Sequence, residues 1–300
     1  MNLFPVTEEE KKEILKQYNI TEPQIKENVE IIKEWKEKVP HLPATITDDF
    51  ITKVLLKNKF RIERTKEKLD NYFTLRGQNQ NMIRGFENIV PSKHFGLCLP
   101  MPKLTPKLER VIIMKLMDVN PDIYDLEEFL HLSLAIAELN LQFDESIGIR
   151  YIFDFEGFST KHILKFNPIL AAKHFVFIQK AYSCRIGGIE CVNLFPGFAS
   201  KLQALLRQML WGKLYDRMKI YSDITSLSDI IPKECLPCEY GGSCSNIPDL
   251  LKQWDEVFKN HKSFFIQNYN NVALEHLRLE DVKTTEEFGP DGTFKKLTVD

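Results

Sequence analysis

Beyond Pro91, apolar runs too short to be helices alternate with longer stretches of helical spacing, and this alternation constrains the chain more than any other feature. Val111-Ile-Ile-Met114 is apolar and rich in β-branched residues, the mark of a strand buried on both faces. Asp125–Phe143 then carries Phe129, Leu130, Leu134, Ala137 and Leu141 on one side of a helix. Gly148–Phe155 reads as a strand, Thr160–Tyr182 as mostly helix and Ile186–Phe195 as a third strand. Ser200–Tyr215 reads as a helix and Lys219–Tyr221 as a fourth short strand. Strands separated by helices pair in parallel, so the expectation is an α/β fold with a mainly parallel sheet of βαβ units.

The first ninety residues have a different character. Thr7-x-x-Glu10 is a capping box that opens one helix, and Thr21-x-x-Gln24, with Pro23 in the first turn, opens a second. Val39-Pro40-His41-Leu42-Pro43 stops the second helix. A third begins at Thr47, and a fourth runs near Ile62 to Leu75. Short helices on short loops predict a small bundle over residues 1–90. A second domain is expected over 91–247, and a helical extension with a polar tail from Asp281 over 248–300.

With 43% hydrophobic and 27% charged residues the chain has material for a core, and wholesale disorder is excluded. A formal charge of −2 supplies no global field for nucleic acid. The longest stretch without a charged residue is Ser263–Leu274, too short for the ~20 apolar residues of a membrane span. The segment 1–10 has neither the basic start nor the apolar centre of a secretory signal, and no Gly follows Met1 for myristoylation. Six irregularly spaced cysteines suit a reduced, cytoplasmic protein.

Enzyme signatures are missing: no Gly-x-Gly-x-x-Gly, P-loop, His-Glu-x-x-His or Gly-x-Ser-x-Gly. Cys235-x-x-Cys238 with Cys244 is half a zinc site without a well-spaced fourth ligand, so no metal or cofactor is expected. His94 and Cys98 have no neighbouring carboxylate in sequence to orient a base. Asp154 and Glu156 read as turn and cap chemistry. What stands out is the 21 Phe residues: Tyr151, Phe153 and Phe155 alternate along one strand, and Phe158, Phe166, Phe175, Phe177, Phe195 and Phe198 follow. Two readings fit, a ring-rich solid core or an apolar cavity for a hydrophobic ligand. Next come Phe198, Leu202, Leu205, Leu206, Met209 and Leu210 at helical spacing, among Lys201, Arg207, Lys213, Arg217 and Lys219 with only Asp216 acidic. Such a helix suits either packing on a sheet or lying on an anionic membrane.

Three motifs carry a resemblance. Gly148-Ile-Arg-Tyr-Ile-Phe-Asp154-Phe-Glu156-Gly157-Phe158 resembles the G-I-x-x-I-x-D-x-E-G strand of CRAL-TRIO lipid-binding proteins. Arg185-Ile-Gly-Gly188-Ile-Glu-Cys-Val-Asn193-Leu-Phe-Pro196 resembles that family's next strand and turn, and Leu236-Pro-Cys-Glu239-Tyr240-Gly241-Gly242 its closing L-P-x-E-Y-G-G. The tocopherol-transfer and retinaldehyde-binding branch, in its insect-type form, is the nearest in pattern. The resemblance covers roughly residues 10–260. It implies a leading helical bundle, then a mixed, mainly parallel sheet that floors a hydrophobic cavity closed by a mobile gate helix at about Phe198–Leu210.

By position, the resemblance implies a ligand site of Leu130, Ser133, Leu134 and Ala137 from the helix, and Ile149, Tyr151, Phe153 and Phe158 from the first motif. Phe166 and Ile178, Ile186 and Ile189, and the gate residues Phe198, Leu202 and Leu205 complete it. Arg185, Lys213 and Arg217 match basic residues that dock on phosphoinositides, whereas Gly187 stands where another basic residue is expected and Lys57-Asn58-Lys59 replaces an R-A-R tripeptide. The function implied is a monomeric, non-catalytic carrier for a tocopherol-, retinoid- or carotenoid-like molecule that associates transiently with anionic membranes. A lipid-sensing adaptor that recruits a protein partner is the alternative, and an enzyme on a hydrophobic substrate the third class.

Overall fold

The computed structural model describes residues 4–279 apart from positions 184, 196, 210, 211 and 222; within 201–213 it describes side chains only at 203, 204 and 207. The N-terminal helices begin where their caps dictate. α1 (Glu8–Tyr18) opens on a closed capping box, the Thr7 amide donating to Glu10 Oε2 at 2.7 Å and the Glu10 amide to Thr7 Oγ1 at 3.2 Å. α2 (Glu22–Glu37), α3 (Asp48–Lys57), α4 (Ile62–Gln78) and the single turn α5 (Gln80–Ile83) complete the bundle.

Among the described residues five strands form one sheet in the order β1 (Gly96–Leu104), β2 (Glu109–Leu116), β3 (Gly148–Asp154), β4 (Ile186–Val192) and β5 (Met218–Ile220). β2 to β5 run parallel, and β1 pairs antiparallel with β2 at the edge. β1 is the element the apolar pattern does not announce. It contains Pro100 and Pro102, which cannot donate to a ladder and are tolerated at an edge, where the register slips between Pro100 and Leu104.

The crossovers are α6 (Leu126–Phe143), the pair α7 (Thr160–Lys165) and α8 (Pro168–Ala181), and α9 (Phe198–Met209). Three boundaries differ from expectation. Thr160–Tyr182 is two helices, because Asn167 caps a new start and Pro168 occupies its first turn. β4 ends at Val192 because Asn193 takes φ 57°, so Leu194 and Phe195 leave the sheet. The helix expected to reach Tyr215 ends at Met209, and Gly212–Arg217 is a 3₁₀ turn leading into β5. α10 (Ile247–Asn260) packs on the turn at Pro91–Lys93 and α11 (Lys262–Tyr269) on the turn at Phe86–Asn88; the tail from Asp281 lies outside the described residues.

One hydrophobic core runs through residues of all three stretches, from Phe50, Tyr72 and Phe73 through Ile113 and Ile136 to Trp254, Phe258 and Phe265. A buried carboxylate pins it. Glu138 on α6 accepts from Tyr72 Oη on α4, from Tyr182 Oη at 2.8 Å and from Asn268 Nδ2 on α11 at 2.7 Å, with Arg76 Nε 3.4 Å away. Burial pushes the Tyr72 and Tyr182 hydroxyls well above the ordinary tyrosine range, so both stay protonated as donors to that carboxylate. The segment after α11 then straps the bundle. The Ala273 amide donates to Phe73 O at 3.1 Å, and the Arg278 guanidinium sits on Asp70 at 3.0 and 3.1 Å.

Candidate functional site

One face of the sheet, α6, the α7–α8 pair and the start of α9 line a cavity of ≈ 290 Å³. This lies near the lower end of the ~300–1,000 Å³ usual for small-molecule sites. Strand alternation builds its floor: Ile149, Tyr151 and Phe153 of β3 point into it, and Ile112 and Met114 of β2 stand opposite Tyr151 and Phe153 in the parallel register. On β4, Ile186 and Ile189 both line the cavity although they are three apart. The register shift beside Ile149 and Arg150 sets Gly187 out of step and restores the inward phase.

That bulge requires glycine. A Cβ at Gly187 would stand 1.8 Å from Glu109 Oε1, and one at Gly188 2.3 Å from an Arg150 nitrogen. Behind them Arg150 bridges Glu109, at 2.9 Å, and Glu190. A side chain at position 187 would therefore have to displace the Glu109 carboxylate.

Leu130, Ser133 and Ala137 of α6 face the cavity, as do Phe158, Phe166, Ile178 and Phe198. Leu134 does not. It sits roughly a quarter-turn round α6 from that face, at ~100° per residue, and is buried in the main core instead. The side chains of Leu202, Leu205 and Lys213 lie outside the described residues. Ile112, Met114, Phe129, Ile136, His174 and Phe175 also line the cavity, outside the ligand site expected from sequence. The signal for two of them was present: His174 and Phe175 stand four and three residues before Ile178 on one helix face.

Ring packing closes one end. Phe198, at the first turn of α9, stacks on Phe195 at 4.8 Å and 7°, and meets Phe155 and Phe158 at 5.5 and 5.7 Å. Gly197 immediately before it takes φ 78°, a conformation L side chains rarely adopt. Outside the same region, Leu164 and Ile169 at the α7–α8 elbow are 82% and 75% exposed, beside the exposed Lys161, Lys165 and Lys173.

The lining is almost wholly apolar, and most of its polar groups have partners; His174 Nδ1 is buried without one among the described residues. At the strand C-termini Asp154 accepts from Tyr240 Oη at 2.6 Å, Asn193 Nδ2 at 2.8 Å and the Glu156 amide at 3.0 Å, with Lys115 Nζ 3.2 Å away. Burial would push this carboxyl up, but those partners outweigh it and hold it below the usual range. The three sequence motifs thus converge on one carboxylate. Mid-cavity, Ser133 Oγ donates to Leu130 O at 2.8 Å and lies 2.9 Å from His174 Nε2. Burial depresses the His174 pKa to about 3, so the ring is neutral and a poor base. Burial pushes the Cys98 and Cys191 thiols up to about 12, leaving neither a thiolate. Cys235 Sγ donates to Leu104 O at 3.2 Å, beneath the sheet edge and away from Cys238, which is exposed.

Of the basic residues, Arg217 donates to Ile186 O, next to Arg185, so both stand at the N-terminal end of β4. Arg185 interacts with the Tyr18 hydroxyl of α1. Lys57 is buried and donates to Ser146 O at 2.8 Å, so it offers no charge to solvent. Among the described residues no helix is long and apolar enough to cross a membrane.

Comparison with known proteins agrees with this architecture. The profile described as CRAL/TRIO domain matches residues 95–242, and one described as Pinta-like, UBA domain matches residues 21–87. The mouse protein named alpha-tocopherol transfer protein-like is 24% identical over 78% of this chain and 69% of its own length. Rat clavesin-2 is 26% identical over 77% of this chain and 72% of its own. The solved structure titled "Crystal structure of Sfh5" aligns with a TM-score of 0.45 and 13% identity, covering 82% of this chain and 92% of that one. With the motif residues converging on Asp154 and an apolar chamber bounded by the start of α9, the chain carries a CRAL/TRIO domain over residues 95–242, and its sequence relatives include a protein of the tocopherol-transfer branch.

Proposed function

We propose that this protein is a lipid carrier: it holds one hydrophobic small molecule in the cavity and exchanges it with membranes when α9 swings away. The observation that carries this reading is a nearly wholly apolar chamber with one end bounded by the first turn of a helix rather than by the sheet. Its relatives named for tocopherol transfer support a tocopherol-, retinoid- or carotenoid-like ligand.

The physical need is clear. Bringing a lipid of ~20 carbons into water costs ~16 kcal/mol at ~0.8 per CH₂, and each ~1.4 kcal/mol slows desorption tenfold. A cavity of matching character removes most of that barrier. Leu164 and Ile169, exposed beside three lysines, form the edge that enters the bilayer, with α9 opening next to them. Arg185, Lys213 and Arg217 add attraction to anionic headgroups, phosphoinositides included, at ~1 kcal/mol each near the surface.

The cavity offers no chemistry to turn the ligand over. Ser133 and His174 lie within hydrogen-bond reach, but Ser133 Oγ also bonds Leu130 O and among the described residues no carboxylate bonds the ring.

The test is transfer of a fluorescent tocopherol analogue between vesicles, with and without phosphatidylinositol phosphates. Transfer accelerated by the protein is expected. Leu164→Asp with Ile169→Asp should lower the rate at least tenfold at unchanged thermal stability, and Lys213→Glu with Arg217→Glu should lower it on anionic vesicles at low salt. Binding without transfer by the wild-type protein would overturn the carrier reading in favour of a sensor.

A further inference from the structure

A second cavity, of ≈ 400 Å³, lies at the seam where the bundle, the end of α6 and α11 meet, and it shares no lining residue with the first. Phe50 of α3, Tyr72 and Phe73 of α4 and Phe264 of α11 bring four rings to it, and none of its described lining residues is charged. Asn268 of α11 stands among them, 8% exposed. The Glu138 joint fixes which way round its amide sits. A carboxylate only accepts, and the Tyr72 hydroxyl gives its one proton to that carboxylate, so both receive from Asn268 Nδ2, at 2.7 and 3.2 Å. Oδ1 is the atom left over: it accepts from no described group, yet it is not sealed from solvent. An acceptor on a side chain this deep, bordering an uncharged and ring-lined space, lacks its donor. Carboxamides edge the same cavity. Gln142 is half-buried, Gln267 and Asn270 are exposed, and none of these three side chains makes a hydrogen bond among the described residues.

We propose that this cavity docks an uncharged segment of a partner protein that presents a tryptophan. The indole lies among the rings, its Nε1–H donates to Asn268 Oδ1, and the main chain on either side pairs with Gln142, Gln267 and Asn270. Indole suits the floor because it joins a large apolar ring to a donor without an acceptor. Phenylalanine would leave Oδ1 unpaired. Tyrosine would add lone pairs that no free donor meets there, since Asn268 Nδ2 is already committed. A lysine or arginine would carry its charge into a cavity with no described acid in its lining. The rim reads the rest: each carboxamide offers one donor group and one acceptor, the complement of a peptide unit. The proposal does not rest on the carrier reading, because the two cavities have separate walls.

The experiment titrates the full-length protein with three probes: the tripeptide N-acetyl-Gly-Trp-Gly-amide, the same peptide built on 1-methyltryptophan, and 3-methylindole. Nitrogen-15 spectra of the side-chain carboxamides report where each one binds. The tripeptide is expected to bind and to shift the Asn268, Gln267 and Asn270 resonances. Methylation of the indole nitrogen removes the one donor and should weaken binding about tenfold, as a well-made buried hydrogen bond predicts. 3-Methylindole keeps the ring and the donor but has no main chain, so it should bind more weakly than the tripeptide. Gln142→Ala with Gln267→Ala leaves the Glu138 joint untouched and should narrow that gap. Absence of tripeptide binding, equal affinity for the methylated peptide, or shifts confined to residues of the lipid cavity overturns the proposal. So does 3-methylindole binding as tightly as the tripeptide, or a gap that survives the double variant. Each of these results leaves the carrier reading standing, since lipid transfer is measured separately.

Discussion

A histidine kept neutral by burial makes a protein sensitive to mild acid. The unfolded chain takes up a proton on His174 near pH 6.5, whereas the folded chain refuses it down to about 3. Between those values the unfolded state binds more protons, so stability falls as pH falls, by about 1.4 kcal/mol per pH unit from this group alone. Above about pH 6.5 the ring is neutral in both states and contributes no slope. Urea unfolding at pH 7 and pH 4.5 should therefore show a smaller acid loss in His174→Phe than in wild type; equal losses would mean the ring titrates normally. Residues such as Tyr151 and Phe153 were legible in the sequence because strand alternation assigns a face. His174 was not, although it stands one turn before Ile178 on the same helix face, because the partner of its ring, Ser133, lies on another helix.

Elements announced themselves where their ends carry chemistry and stayed hidden where they are shaped by partners. Thr7, Thr21 and Thr47 mark three helix starts, and the β-branched run in β2 marks a central strand. β1 went unread because its prolines argue against a strand and only the neighbouring β2 makes the pairing worthwhile. The end of β4 needed Asn193's left-handed turn, which sequence suggests only weakly. For α9, the ring cluster at its first turn predicts local behaviour. Phe198→Ala should loosen that end, so amides of 198–209 exchange faster while those of β3 and β4 keep their protection. The same variant should release bound ligand into water sooner. Uniform loss of protection across the sheet would instead make Phe198 part of the global core.

Across the whole molecule, Glu138 is where bundle, sheet domain and C-terminal helices meet. Glu138→Ala would strand the Arg76 charge and remove the acceptor from two tyrosines and Asn268, at a cost of about 3–5 kcal/mol. Because the link spans all three stretches, urea unfolding should shift as one transition. A bundle melting alone, with the sheet unaffected, would contradict that coupling. Helix and strand types were readable along the chain, but this joint was not, since its members lie in four separate segments.

The clamp of Arg278 on Asp70 joins positions 208 residues apart. During synthesis, then, Asp70 on α4, already within reach of His41 in its own bundle, waits 208 residues for the guanidinium that completes its site. A message cut short upstream of Asn268 would yield a product missing both the strap and the two backbone carbonyls that accept from Arg76, with the Phe73 carbonyl deprived of its Ala273 donor. Quality control would meet such truncated chains as unfinished, even though the entire ligand chamber had already been translated.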